Sequence, residues 1–252
     1  MSNPRKLVLG RFAFLVVLMF SLSGMAYGSG DILSRWSKTR EFTDPYGSSY
    51  SIKVTYYSGE FIEALVAEEA EKNLWTSDEL ENYKYELVKS LQLDEFIPVM
   101  FSFENKGPSM HMAPFDSHVH MWVGKTKYSP ADYDRRLNFR VDDSRDGLVF
   151  FPRYDEKTGK SLLEGVSSVR LVVSGNINSL TAGDSYDFVW DVGRDNPEAL
   201  SKGQAAERLE ADRLIRRLQK LNAQKAELEE QMKNNVDEIA TIEARLAELQ
   251  GK

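Results

Sequence analysis

The sequence predicts a mainly β protein with some α structure: an immunoglobulin-like antiparallel β-sandwich with a two-helix insertion, followed by a C-terminal coiled-coil helix. Short segments of alternating apolar and polar residues, separated by Gly- and Asp-rich turns, recur through residues 96–192, as in antiparallel sandwiches. Two segments at about 59–92 instead carry apolar residues at helical spacing. The chain then ends in a heptad repeat. These patterns predict a signal peptide at 1–28, a sandwich domain at 29–195 and a coiled coil at 196–252.

Residues 1–28 have the composition of a secretory signal peptide. Three basic residues precede or begin an apolar run at 12–22, and small residues at 26 and 28 suit cleavage before Ser29. The run is shorter than the about 20 residues that a membrane span needs. We therefore expect an exported protein, periplasmic or extracellular, with no stable membrane span after cleavage. An uncleaved signal that stays as an anchor is the alternative.

The charge and the cysteine content limit the possible partners. Cleavage of the signal would remove three basic residues and no acidic ones, which takes the formal net charge from −7 to −10. Nucleic-acid binding depends on clustered Lys and Arg, so we do not expect it of this acidic chain. The chain has no cysteine, which excludes disulfides and thiolate metal sites. The domain must rely on its core for stability, and protein is the expected class of partner.

The segments after the signal alternate between strand and helix patterns. A predicted turn at 44–47 precedes a segment at 50–57 in which apolar and polar residues alternate, which indicates a half-buried strand. A helix is expected from about Gly59 to Asn73. Thr76 and Glu79 then form a capping box at the start of a second helix. We expect this helix pair to pack on a sheet.

From Phe96 onward the pattern is that of strands. Val99, Phe101 and Phe103 alternate with more polar residues until the turn at 105–108. The further candidate strands are 117–123, 136–141, 147–151, 166–173 and 185–192. Turn-forming residues at 193–197 then link the domain to the C-terminal helix, with Asn196 as a possible cap and Pro197 as the first helical residue.

The heptad repeat is the most informative part of the chain. One seam position holds Ala211, Leu218, Met232, Ile239 and Leu246, and the other holds Leu214, Leu221, Leu228, Ile242 and Leu249. Only Lys225 and Asn235 interrupt this stripe, and such polar residues lower stability while fixing register and oligomeric state. A seam with an apolar residue every 3.5 positions on average needs a partner helix to bury it. We therefore predict that this segment associates with another helix.

The residues that flank the seam leave the orientation of that association open. In a parallel homodimer the flanking positions would pair Arg217 with Asn222, Gln224 with Glu229 and Glu238 with Glu243. None of these pairs is attractive and the last is repulsive, although such pairs normally set partner and orientation. The two alternatives are an antiparallel homo-oligomer and a pairing with a helix of another envelope protein, and the apolar seam favours self-association. A turn at 234–235 that folds the helix back on itself is a third option.

A cluster of histidine and methionine is the clearest candidate site for metal chemistry. It contains every histidine of the chain, His111, His118 and His120, together with Met110 and Met112. If 117–123 is a strand, His118 and His120 share one face, and imidazole with thioether ligands would favour copper. The competing interpretation is that the methionines fill the core, as Met often does.

Motifs for enzymatic chemistry are incomplete. The segment 142–147 resembles the start of a calcium loop, but its twelfth position, which requires Glu, is Arg153. Asp116, Ser117 and His118 have the residue types of a hydrolase triad, yet neighbouring residues on a strand point to opposite faces. We therefore expect no enzyme.

The functional prediction follows from the heptads and the signal. We expect an exported, non-enzymatic binding or assembly protein of the cell envelope that associates through its C-terminal coiled coil. The alternative is a periplasmic copper-handling protein that uses the His and Met cluster.

Overall fold

The computed structural model describes residues 29–155, 158–181, 183–193, 195–200 and 204–250. The predicted signal peptide at 1–28 lies outside the described residues. The helices are α1 (Ser29–Trp36), α2 (Gly59–Asn73), α3 (Ser77–Ser90) and α4 (Gln204–Gln250). The strands are β1 (Ser37–Thr43), β2 (Ser49–Tyr56), β3 (Phe96–Lys106), β4 (Val119–Val123), β5 (Thr126–Tyr128), β6 (Asp132–Tyr133), β7 (Ser144–Pro152), β8 (Ser168–Gly175) and β9 (Gly183–Asp191).

The described chain is mixed α and β, with two antiparallel sheets and a long C-terminal helix. The first sheet has the strand order β1-β2-β3-β7-β6, and the second has the order β5-β4-β8-β9. Residues 97–101 of β3 are buried without interruption, which indicates that both faces of this central strand are covered. Among the described residues, no helix is both long and apolar enough to cross a membrane.

Aromatic side chains fill the space between the two sheets. The hydroxyls of Tyr50 on β2 and Tyr186 on β9 lie 2.9 Å apart and share a hydrogen bond. The rings of Tyr56 and Trp190 lie 5.7 Å apart, and the indole N–H of Trp190 donates to the backbone oxygen of Trp36. Each such ring pair adds about 0.5–1.5 kcal/mol beyond its buried area. The sheets are thereby joined in a sandwich-like arrangement.

The helix pair α2 and α3 is inserted between two neighbouring strands of the first sheet, β2 and β3. The predicted bounds of α2 are confirmed, and the Ser58 hydroxyl caps it by accepting from the N–H of Phe61. The predicted capping box of α3 is also confirmed. The Glu79 carboxylate accepts from the N–H of Thr76 at 2.8 Å, and the Thr76 hydroxyl accepts from the N–H of Glu79.

One predicted strand, 136–141, is wrong. The chain forms a 3-10 helix at 135–138 instead, and the Asp134 carboxylate begins it by accepting from the N–H of Arg136 at 2.9 Å. Such short polar side chains satisfy the backbone locally and compete with strand pairing. The buried side chain of Leu137 lies over Gly147, where a Cβ would come within 2.7 Å of it. The glycine in β7 thus makes room for this turn.

The other strand predictions hold with shifted ends, but some elements have no clear sequence pattern. The segment predicted at 117–123 begins as a strand only at Val119, after a 3-10 turn at 115–117. The edge strand β1 reads SKTREFT and is almost wholly polar, so its pairing with β2 leaves no alternation to detect. The short helix α1 and the short strands β5 and β6 also escaped prediction.

Candidate functional site

The site with the most distinctive geometry is α4. It is one continuous helix of 47 residues, about 70 Å long at the usual rise of an α-helix. The predicted alternative of a turn at 234–235 is therefore wrong. Each Asn costs less than about 0.7 kcal/mol in a helix, which neighbouring helix formers offset, whereas only Pro would break it.

The seam residues of α4 are exposed in the single chain. The large apolar ones retain between 50 and 68 % of their accessible surface. They are Leu214, Leu218, Leu221, Leu228, Met232, Ile239, Ile242, Leu246 and Leu249. Globular proteins rarely expose a contiguous apolar surface of this length unless it is an interaction site. The residues predicted to form a coiled-coil interface are thus exposed along one surface of α4, which we call the seam.

The domain contacts α4 at heptad positions other than the two seam positions. With Ala211 in the first heptad position, Arg216 takes the sixth, which faces away from the two seam positions. Its guanidinium donates to the Glu95 carboxylate through Nε at 2.9 Å and to the Asp94 carboxylate through a terminal nitrogen. Arg217, the next residue, lies beside Gly159. The domain therefore contacts α4 through Arg216 and Arg217 and leaves the seam side chains exposed.

The segment that leads into α4 is fixed to the domain as well. The Asp195 carboxylate accepts from the N–H of Gly59 at 2.8 Å and from the hydroxyl of Tyr56 at 3.1 Å. The backbone oxygen of Asn196 lies so close to Gly59 that a Cβ there would approach it to 2.8 Å. Burial raises the pKa of Asp195, while the Gly59 N–H and the charge of Arg153 oppose that rise. The chain is thus attached to the domain at two places, through Asp195 before α4 and through Arg216 within α4.

A shallow groove lies on the seam near the middle of α4. It is lined by Leu221, Gln224, Lys225, Leu228, Glu229 and Met232. These residues form two overlapping sets of four: positions 221, 224, 225 and 228, and positions 225, 228, 229 and 232. Four residues with this spacing form the hole that receives a side chain of a facing helix in a coiled coil. Lys225 lies 3.7 Å from Glu229 along the same helix, so its charge is partly balanced within the chain.

The chain matches no protein-family model, no curated protein and no solved structure.

The structure separates the predicted metal-site residues. Met110 and Met112 are buried in the core, where Met110 exchanges backbone hydrogen bonds with Val141. His111 is exposed. Among the described residues, no group of three or more His, Asp or Glu side chains is placed to hold one metal ion. The two methionines therefore pack as core residues, in line with the competing interpretation of the cluster.

The remaining two histidines do not share a strand face as predicted. His118 closes the 3-10 turn before β4, with its N–H donating to the oxygen of Phe115, whereas His120 lies on β4 and faces away from the core. Burial lowers the pKa of both imidazoles, and Asp116 opposes this in each case. The Nδ1 atom of His120 is buried without a hydrogen-bond partner.

Sequence reasoning missed the residues that attach α4 to the domain. Arg216 is separated from Glu95 by 121 positions, and Asp195 from Gly59 by 136. No local sequence pattern predicts contacts between residues so far apart in the chain. The one usable signal was the position of Arg216 in the heptad, since a charged residue opposite the seam is free to bind elsewhere.

Proposed function

We propose that this chain is an exported, non-enzymatic assembly protein of the cell envelope that associates with a second copy of itself through α4. The two sheets are proposed to form an immunoglobulin-like sandwich that presents a recognition surface. The observation that carries the proposal is the exposed seam on a helix whose opposite side is bound to the domain. Burying the remaining half of each large apolar side chain contributes on the order of 1 kcal/mol.

The mass of the purified chain in solution tests the self-association. Sedimentation at micromolar concentration is expected to give a mass above that of one chain. Replacing Leu221 and Leu228 together by Gln is expected to return it to a monomer, because every seam layer that contains either residue then buries polar amides. Ala223→Gln with Glu230→Gln, on the side opposite the seam, is the matched control and should leave the mass unchanged. An unaltered mass for the seam variant would contradict the proposal.

Export is tested separately. Fractionation of the native cells and N-terminal sequencing of the mature protein are expected to find the chain outside the cytoplasm, beginning at Ser29. An intact N-terminus on membrane-bound protein would favour the anchored alternative. Cytoplasmic protein with an intact N-terminus would contradict export.

A second candidate function is copper handling in the periplasm. The specific observation that favours it is the unpartnered Nδ1 of His120 near His118, since imidazole nitrogen is a good copper ligand. Metal content by mass spectrometry on untagged protein from its native compartment tests it. Near-stoichiometric copper that is lost in His118→Ala would support this function, and metal-free protein would contradict it.

A further inference from the structure

The two polar residues of the seam are placed symmetrically about its middle. The seam runs from Ala211 to Leu249, so Glu230 is at its midpoint. Lys225 precedes that midpoint by the same number of residues by which Asn235 follows it. A symmetric placement has no meaning for one helix, but it has a direct consequence for two copies that run in opposite directions.

We infer that two copies of α4 pair antiparallel, with the two-fold axis at Glu230 and Lys225 of each copy facing Asn235 of the other. This inference rests on the proposed self-association and adds its orientation and register. In antiparallel coiled coils the first seam position of one helix faces the second seam position of the other. The resulting layers are Ala211 with Leu249, Leu214 with Leu246, Leu218 with Ile242, Leu221 with Ile239, Lys225 with Asn235 and Met232 with Leu228. Every layer is then apolar on both sides or polar on both sides.

A parallel pair matches the seam less well. Each residue would face its own copy, so Lys225 would meet Lys225 within the seam, and Glu238 would meet Glu243 at its flank. In the antiparallel pair the Lys225 ammonium instead faces the Asn235 amide, whose oxygen accepts hydrogen bonds. Like charges in a seam are more costly than like charges on a solvated flank, because the surrounding dielectric constant is lower.

The flanks of the antiparallel pair are less favourable than its core. They bring Arg217 near Arg245 of the other copy, and the two Glu229 side chains near each other at the axis. Each Glu229 already has Lys225 at 3.7 Å, which reduces the second repulsion. Moving the axis by half a heptad toward the N-terminus would pair Arg217 with Glu238, but it would place Asn235 against Leu218 and Lys225 against Leu228. An unmatched polar group in a core costs several times more than an exposed like-charge pair.

The position of the domain agrees with this register. The layers end where Leu249 of one copy reaches Ala211 of the other, which is close to the point at which Arg216 binds Asp94 and Glu95. The second helix lies on the seam side and the domain on the opposite side. The proposed partner helix therefore lies on the side of α4 away from the Arg216 contacts.

Inter-chain distances give the direct test. The chain has no cysteine, so Ala223→Cys and Ala244→Cys, both opposite the seam, each accept one nitroxide label in the full-length exported protein. Dipolar electron paramagnetic resonance measures the separation between the two copies. The proposed register predicts axial components of about 21 Å at residue 223 and about 42 Å at residue 244.

Each other outcome overturns the inference in a recognisable way. Equal distances without an axial component mean a parallel pair, since neither position is then displaced along the axis. Equal distances with axial components of about 31 Å instead mean an antiparallel pair whose pairing is shifted by one heptad step toward the C-terminus. Another antiparallel register moves the two distances in opposite directions by about 10 Å for each heptad step in the pairing. If no inter-chain distance is found and the mass is that of one chain, self-association itself fails, and the proposed function fails with it.

A charge variant supplies an independent readout. Arg245→Glu turns two Arg–Arg contacts of the proposed pair into Glu–Arg contacts, so the dimer is expected to dissociate about ten-fold less readily at low salt. In a parallel pair the facing residue is the neutral Gln250, and little change follows. In the register shifted by half a heptad the same variant faces Glu210, and the dimer weakens. Sedimentation of wild type and variant as a concentration series distinguishes these three results.

Discussion

The attachment of Asp195, in the segment before α4, to the domain gives the sharpest stability prediction. Replacing Asp195 by Ala removes the acceptor for the Gly59 N–H at 2.8 Å and for the Tyr56 hydroxyl at 3.1 Å. It also removes the carboxylate whose charge acts on the buried Arg153 guanidinium. A lost hydrogen bond costs about 1 kcal/mol, and a donor left buried without a partner costs about 1–3 kcal/mol. We therefore expect the free energy of unfolding to fall by about 3 kcal/mol.

Urea unfolding followed by tryptophan fluorescence measures this loss, because Trp36 and Trp190 are buried in the same core. With a denaturant slope of about 1–3 kcal/mol per molar urea, the midpoint should fall by about 1–3 M. The matched control is Asp191→Ala. Its carboxylate is exposed and accepts one hydrogen bond, from the Gly193 N–H at 3.0 Å, so the expected loss is below about 1 kcal/mol.

Two results would refute this reasoning. The first is an Asp195→Ala variant no less stable than Asp191→Ala, which would mean that the carboxylate does not secure the linker. The pH dependence supplies the second criterion. Because burial raises the pKa of Asp195 above its unfolded value of 3.8, the folded state takes up the proton first on acidification. Wild type should therefore gain stability relative to Asp195→Asn as pH falls through the folded pKa, and an unchanged difference would contradict the assignment.

Three further predictions concern other parts of the chain. Thr76→Ala should cost about 1 kcal/mol by removing the cap of α3, with Ser77→Ala as a near-neutral control in thermal unfolding. Burial lowers the pKa of His120 from 6.5, so the wild type should lose stability as pH falls below about 6.5. His120→Gln should show a smaller loss in urea titrations at successive pH values, and an identical loss would contradict this. Replacing Lys225 and Asn235 together by Leu should tighten association more than ten-fold and give mixed registers, visible as broadened inter-chain distances.

An element of the fold was predictable where its conformation depends on side chains close together in the sequence. The bounds of α2 and the cap of α3 follow from side chains within a few positions of each other, so both were predicted correctly. The strand at 136–141 failed because its conformation depends on Gly147, whose missing side chain makes room for Leu137. The edge strand β1 was not predicted because its backbone pairs with β2 while its side chains are largely polar.

The same distinction applies to the candidate sites. The seam of α4 is a local repeat, so its residues were predicted individually from the sequence. The metal site was predicted from residue types that are close in sequence, but Met110 and Met112 point into the core. Their burial depends on strands that come later in the chain. The contacts of Asp195 and Arg216 join residues more than a hundred positions apart, and no sequence period records them.

The heptad position of Arg216 connects the fold to the shape of the proposed dimer. Because Arg216 is opposite the seam, each domain lies on the outer side of its own helix, and the two domains are on opposite sides of the two-helix coil. In the antiparallel register the two Arg216 contacts are displaced along the axis by about 42 Å. A parallel pair would place both domains at the same height. Small-angle scattering should therefore show two domains separated along the coil, and a particle with both domains at one end of the coil would contradict the antiparallel arrangement.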